Sequence, residues 1–258
     1  MKMTQNVKLL MEKINKAGGK PYFVGGAVRD WVASRYTPVV PKDLDVEVFG
    51  LTHDQLAAIM ATEDRATYVG KSFGVFKVKR DNTDIDISLP RSEVKVGEAR
   101  TEFNVQFDPF MSTRAASRRR DYTMNAMMWD PLNLELIDNW GGRDDLERRI
   151  LRHVDSDTFC EDELRVLRGM QFCSRFDLAP HPQTADLASS LVDDYHKLPV
   201  ERVREEWVKW ALKSVKPSRG MEFLLATGWL QHFGHLNNLV GTIQDPTWHP
   251  EGDAFVHS

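Results

Sequence analysis

Apolar and acidic residues take turns along Asp43-Leu44-Asp45-Val46-Glu47-Val48-Phe49, a two-residue period that predicts a strand with one face turned to a core. Shorter runs at Tyr22–Val24, Ala66–Val69, Val75–Val78, Ile85–Leu89, Met127–Trp129 and Leu134–Ile137 predict further strands. Helical spacing governs the N-terminus, where Val7, Leu10, Met11 and Ile14 share one side and Gly18-Gly19 supplies the stop. Thr52 and Gln55 have capping-box spacing ahead of a helix from about Leu56 to Ala61. Near residue 150 the character changes. Strand patterns fade, and helical periodicity takes over in Phe159–Arg175, Gln183–Val192, Val200–Val215 and Arg219–Leu225. Strands mixed with helices, then helices alone, predict an α+β protein: a mixed-sheet head on a helical neck.

Composition narrows the class. A chain of 258 residues, 41% hydrophobic and 28% charged, reads as an ordinary globular protein with a sizeable core. Its net charge of −4 excludes a bulk nucleic-acid binder, so any RNA contact must come from local basic clusters. Cys160 and Cys173 lack zinc-site spacing and point to a reducing, cytoplasmic setting. The first helix is too polar for a signal peptide, and no span approaches membrane length. No membrane association and no obligate protein partner is expected.

The alternating strand also carries chemistry. Side chains two apart share a face, so Asp43 and Asp45 stand side by side, close enough to share a divalent cation. Without a cation they would repel, and one would take up a proton. Tyr22–Val24 runs into Gly25-Gly26, where the backbone can approach an anion and the next helix offers free N–H groups. These glycines form neither the dinucleotide fingerprint nor the phosphate loop of NTPases. A phosphate cradle facing a metal-binding carboxylate pair is the equipment of nucleotidyl transfer. If Asp84-Ile85-Asp86 lies beside the first acidic strand, Asp86 ahead of Asp84 would complete the site; the alternative is an edge strand wearing charges. Three oxygen ligands suit Mg²⁺, and two such ions would activate a 3′-hydroxyl and steady departing pyrophosphate. The run Arg118-Arg119-Arg120 is embedded against Tyr122, Met124, Ala126 and Met127. Arginines fixed in this way suit a triphosphate, and Asp121 or Asn125 is a candidate for a ribose hydroxyl.

Taken in order, Gly25-Gly26-Ala27-Val28-Arg29-Asp30, the Asp43/Asp45 pair, residues 118–127, 138–154, 161–176 and 201–207 closely resemble the bacterial class II tRNA nucleotidyltransferases, the CCA-adding enzymes. Bacterial poly(A) polymerases are related to them. The resemblance runs from about Tyr22 to the end of the chain. It implies a polymerase-β-like head over residues 1–138, an entrance to the neck around Gly141-Gly142, and a helical neck and body over 139–258. It implies nucleotide contacts at Gly25, Gly26, Arg29, Arg120, Asp121 and Asn125, with Asp162 and Arg165 reading the incoming base and Arg168 one turn further on. The chemistry agrees. Asp only accepts, so it wants N4 of cytosine or N6 of adenine; Arg only donates, so it wants N3 of cytosine or N1 of adenine. Uracil and guanine present the opposite polarity. The implied activity is addition of CMP and AMP from CTP and ATP to tRNA 3′ ends, with Mg²⁺ as cofactor. Poly(A) synthesis, A-only addition and a non-catalytic RNA- or nucleotide-binding module are the alternatives.

In the family, residues matching Glu201, Arg202 and Glu205 brace the base-reading helix, whereas Trp207 and Trp210 read as core. Arg202, Arg204, Lys209 and Lys213 are the candidate RNA contacts. The final residues look like the place where longer relatives begin an HD-type domain, and His249 and His257 alone make poor metal ligands. The loop 89–103, with Arg91, Lys95 and Arg100, resembles the flexible loop that CC-only enzymes lack.

Overall fold

The computed structural model describes residues 1–37, 40–64, 66–69, 74–95, 103–250 and 252–257. Contacts gather the chain into two compact units, Met1–Arg148 with His153–Glu161, and Arg149–Arg152 with Asp162–Ser258. The expected division after residue 138 falls inside the first unit. Two local features explain this. Asp138 accepts hydrogen bonds from the Gly142 and Arg143 N–H groups, and a Cβ on Gly142 would lie 2.2 Å from the Thr123 carbonyl oxygen. The segment identified as the neck entrance is thereby packed onto the first unit.

The first unit is built on a seven-stranded sheet. Its elements, in chain order, are α1 (Gln5–Lys16), β1 (Lys20–Val24), α2 (Gly26–Ala33), β2 (Asp43–Phe49), α3 (His53–Met60), β3 (Thr67–Val69), β4 (Val75–Arg80), β5 (Thr83–Ser88), β6 (Arg91–Lys95), β7 (Phe103–Phe107), α4 (Thr113–Arg118), β8 (Met128–Asp130), β9 (Glu135–Ile137), α5 (Gly142–Glu147) and, after Ile150–Leu151 (β10), α6 (Ser156–Phe159). Sheet order is β3-β4-β5-β2-β1-β8-β9, with β2 and β5 parallel and the other pairs antiparallel. Leu44, Val46, Val48, Ile85 and Ile87 form the apolar face, against Leu10, Met11 and Ile14 of α1, Val28 of α2, and Leu56 and Met60 of α3. Thr52 and Gln55 make the capping box read from the sequence. The opposite face closes only at one end, where Phe49, Val24 and Met128 pack with Ala116 of α4. At the other end of β2, Asp43 and Asp45 remain exposed. A hairpin of β6 and β7 is not foreseen in the sequence, and β6 falls inside the segment 89–103 expected to be a loop; Arg100 and the Lys95 side chain lie outside the described residues.

In the second unit, α7 (Leu164–Phe176), β11 (Ala179–Pro180), α8 (Pro182–Ser190), α9 (Val200–Lys213) and α10 (Ser218–Ala226) pack around Leu167, Met170, Phe223 and Trp229. The helix expected over Phe159–Arg175 begins only at Leu164 as α7, and Phe159 is the last residue of the short helix α6. Asp162 therefore precedes α7 rather than sharing a helix face with Arg165, and its Oδ1 accepts from the Leu164 N–H at 3.1 Å. Sequence spacing missed the late start because Phe159 lies in phase with the apolar residues of α7.

Candidate nucleotide site

β1 and β2 pair with Val24 opposite Asp45, which brings the end of β1 beside the acidic pair. The chain then turns at Gly25 with φ 71° and ψ −139°, a conformation that only glycine adopts without strain. A Cβ there would stand 3.1 Å from Asp45 Oδ2 and 3.8 Å from Arg120 Nη1. The turn, the carboxylate and a guanidinium thus converge. α2 starts at Gly26 with no side-chain cap, so its first backbone N–H groups are available to an anion.

The carboxylates differ in their company. Asp43 and Asp45 are in register with Asp84 and Asp86 across the parallel β2–β5 pair. Lys77 on β4 donates to both oxygens of Asp86 at 2.9 and 2.7 Å, and Lys79 pairs with Asp84 at 3.2 Å. Burial pushes the Asp45 carboxyl above its ordinary range, Arg120 pulls it down, and the nearby Asp86, Glu47 and Asp43 push it up again. Negative charge at this spot wants a cation. Among the described residues no group of three or more His, Cys, Asp or Glu is gathered at metal-binding spacing. Asp86 stands next to Asp45, but its oxygens are engaged by Lys77.

The three consecutive arginines go to separate tasks. Arg118 grips Asp155 through Nε and Nη2, at 2.8 and 3.1 Å. Burial pushes the Asp155 carboxyl up, and the hydrogen bonds from Arg118 and the Thr158 N–H outweigh it, holding it below its usual value. Arg119 and Arg120 both donate to Glu47, which is almost wholly buried. Sequence reasoning passed over Glu47 as an acid on a strand; its signal is that three adjacent cations need a counter-charge.

Arg29, Asn125 and Asp121 are brought together in a buried chain. Arg29 Nη1 donates to Asn125 Oδ1 and Asn125 Nδ2 donates to Asp121 Oδ1, each at 2.8 Å. Asp121 Oδ1 also accepts the Tyr122 N–H. This network ties α2 to the turn after the arginines. Asp121 Oδ1 and both polar atoms of the Asn125 side chain thus take part in internal hydrogen bonds.

In the second unit, Asp162 Oδ2 accepts from Arg202 Nη2 at 3.1 Å, the brace expected of α9. Arg165 and Arg168 are half-buried on α7, and the Arg168 guanidinium lies 5.5 Å from the Phe172 ring centre. Lys209 pairs with the buried Glu206, whereas Arg204 and Lys213 are exposed. Trp210 donates to Ser174 Oγ, and Trp207 packs edge-on against Phe233, but both are half-buried rather than core. Cys160 and Cys173 are free thiols, and burial pushes Cys173 up to about 12. No helix among the described residues is long and apolar enough to cross a membrane.

A mixed sheet with a glycine turn and helix N-terminus facing strand carboxylates is a polymerase-β-like nucleotidyltransferase head. Residues 21–152, just over half of the chain, match the family described as the poly A polymerase head domain, and the chain belongs to it. Over 240 residues it is 39% identical to the Multifunctional CCA protein of Aromatoleum aromaticum, covering 92% of this chain and 56% of that one. The Hahella chejuensis protein of the same name is 39% identical over 243 residues, with 92% and 54% covered. Among solved structures, the Bacillus stearothermophilus CCA-adding enzyme in complex with CTP superposes with a TM-score of 0.71 at 28% identity, covering 87% of this chain and 52% of that one. The Thermotoga maritima CCA-adding enzyme complexed with tRNA shares the fold, with a TM-score of 0.69, 22% identity, and 95% and 55% covered. The chain spans about half the length of the curated relatives it matches.

Proposed function

We propose that the chain carries the catalytic head and base-selecting helices of a template-independent RNA nucleotidyltransferase that adds CMP and AMP from CTP and ATP to tRNA 3′ ends. One observation carries the reading: Gly25 abuts Asp45 Oδ2, so a phosphate at the turn and a cation on Asp43 and Asp45 would be neighbours. The names of the curated relatives agree with it. Asp43 and Asp45 fit Mg²⁺, being solvent-accessible hard oxygen donors, and at Asp45 desolvation and the nearby Asp86, Glu47 and Asp43 push the carboxyl up against the pull of Arg120. Mg²⁺ bound there supplies positive charge for the attacking 3′-oxygen and the leaving pyrophosphate.

The chain's own groups do the rest. The Gly25-Gly26 turn and Arg120 hold the triphosphate so that the 3′-oxygen attacks the α-phosphorus in line, and the bond to the bridging oxygen of pyrophosphate breaks. Asp86, held here by Lys77, would be the third carboxylate for such a cation. Asp162 and Arg165 select the base, Asp162 releasing Arg202 to accept an exocyclic amine.

The test is incorporation of single labelled nucleotides into tRNA transcripts ending in the discriminator base, in C or in CC. The expected result is metal-dependent addition of C, C and then A, with UTP and GTP refused. Asp162→Ala or Arg165→Ala should weaken that refusal at least about tenfold, the worth of a hydrogen bond to a charged group. Runs of A without any use of CTP would make the protein a poly(A) polymerase instead. No incorporation on any transcript would leave a binding module.

A further inference from the structure

Glu47 shares the β2 face with Asp43 and Asp45, yet it is 1% exposed. It is buried toward the end of the sheet that α4 covers, and α4 delivers Arg119 and Arg120 to it. Arg119 Nη2 and Arg120 Nη2 both donate to Oε1, at 2.8 and 2.6 Å. Oε2 is buried and receives no hydrogen bond from the described residues. A carboxylate kept only for stability would spread two guanidiniums over both oxygens, because an undonated buried oxygen is costly. Here the pairing is lopsided, and the reason is visible in Arg120. Its Nη2 end is anchored on Glu47, while its Nη1 end reaches the Gly25 turn next to Asp45 Oδ2.

We propose that Glu47 is a positioning residue of the nucleotide site: it fixes the Arg120 fork so that one arm is always presented at the glycine turn as a donor to the triphosphate. The inference rests on the nucleotidyl-transfer reading and adds to it the group that sets the strength of the phosphate grip. A rigid fork loses little freedom when it meets a phosphate, whereas a free arginine must be ordered at that moment. Arg118, held on Asp155, is excluded from this role.

The experiment compares Glu47→Gln and Glu47→Asp with the wild type in steady-state incorporation and in calorimetric binding of inorganic tripolyphosphate. Glu47→Gln keeps the volume and an Oε1 that can still accept from both arginines, but removes the charge; Glu47→Asp keeps the charge but is one methylene too short. For folded variants, verified by an unchanged circular dichroism spectrum, KM for CTP and for ATP should rise together by about 10-fold or more, the loss expected for a charge-assisted hydrogen bond. With kcat changed by less than about threefold, that pattern marks lost binding common to ground and transition states. Tripolyphosphate binding should weaken by the same factor, and the CTP-to-ATP preference should not move. Wild-type tripolyphosphate affinity in either folded variant overturns the proposal, whatever happens to activity. If the wild type incorporates no nucleotide but its tripolyphosphate binding still depends on Glu47, the positioning role stands and the proposed function falls.

Discussion

Asp43-Leu44-Asp45 on β2 and Asp84-Ile85-Asp86 on β5 are the same motif on neighbouring parallel strands, in register residue for residue. On β5 both acids meet lysines, because the antiparallel partner β4 sets Lys77 opposite Asp86 and Lys79 opposite Asp84. On β2 the other neighbour is β1, which offers no lysine at that height and ends in the Gly25 turn beside Asp45. Two motifs of the same Asp-apolar-Asp pattern therefore have different fates. One is paired with lysines within the sheet, and the other has no lysine from its neighbouring strand and stands beside Arg120 and an anion cradle. Strand neighbours, rather than the acids themselves, decide which pair is poised for a cation.

The largest way to break this comparison is to remove the pair that has no lysine partner. Asp43→Ala or Asp45→Ala should lower incorporation by at least about 10³-fold, since a lost metal ligand costs several kcal/mol of barrier. More than about a tenth of wild-type turnover in both variants would put the β2 pair on a level with an ordinary charged strand.

The β5 pair should divide. Asp86→Asn is expected to lower turnover by about 10- to 100-fold, because Asp86 adjoins Asp45 and its charge is felt there. Asp84→Asn, an exposed partner of Lys79, should stay within about twofold, as the weakness of surface ion pairs dictates. Equal losses from both would show the whole face acting as one site.

The smallest effect is on stability. In metal-free buffer Asp45→Asn should melt higher than the wild type at neutral pH, since the neutral amide escapes the burial and the like charges that work against the carboxylate. Asp84→Asn should melt at the same temperature or slightly lower, having given up only the Lys79 pair. A lower melting temperature for Asp45→Asn would mean that Arg120 already compensates that charge, and the contrast between the strands would shrink.

Much of this was legible in one dimension. Alternation along β2 and β5, the stripe Val7, Leu10, Met11 and Ile14, and the capping box at Thr52 follow from local periodicity and local hydrogen bonding. Gly25-Gly26 and the Asp43/Asp45 pair were readable because a positive φ and a shared strand face are properties of adjacent residues. What the sequence could not supply is pairing across long separations. Arg120 and Glu47 lie 73 residues apart, and nothing local says that Arg118 turns to Asp155 while its two neighbours turn to Glu47. Spacing likewise put Asp162 on a helix that begins only at Leu164, since helix ends are set by the contacts and caps that compete there. The sequence determined which faces are apolar and where the chain can turn. Tertiary structure alone decided which charges are neutralised, because the partner of a charge is fixed by strand register and by where a distant helix lands.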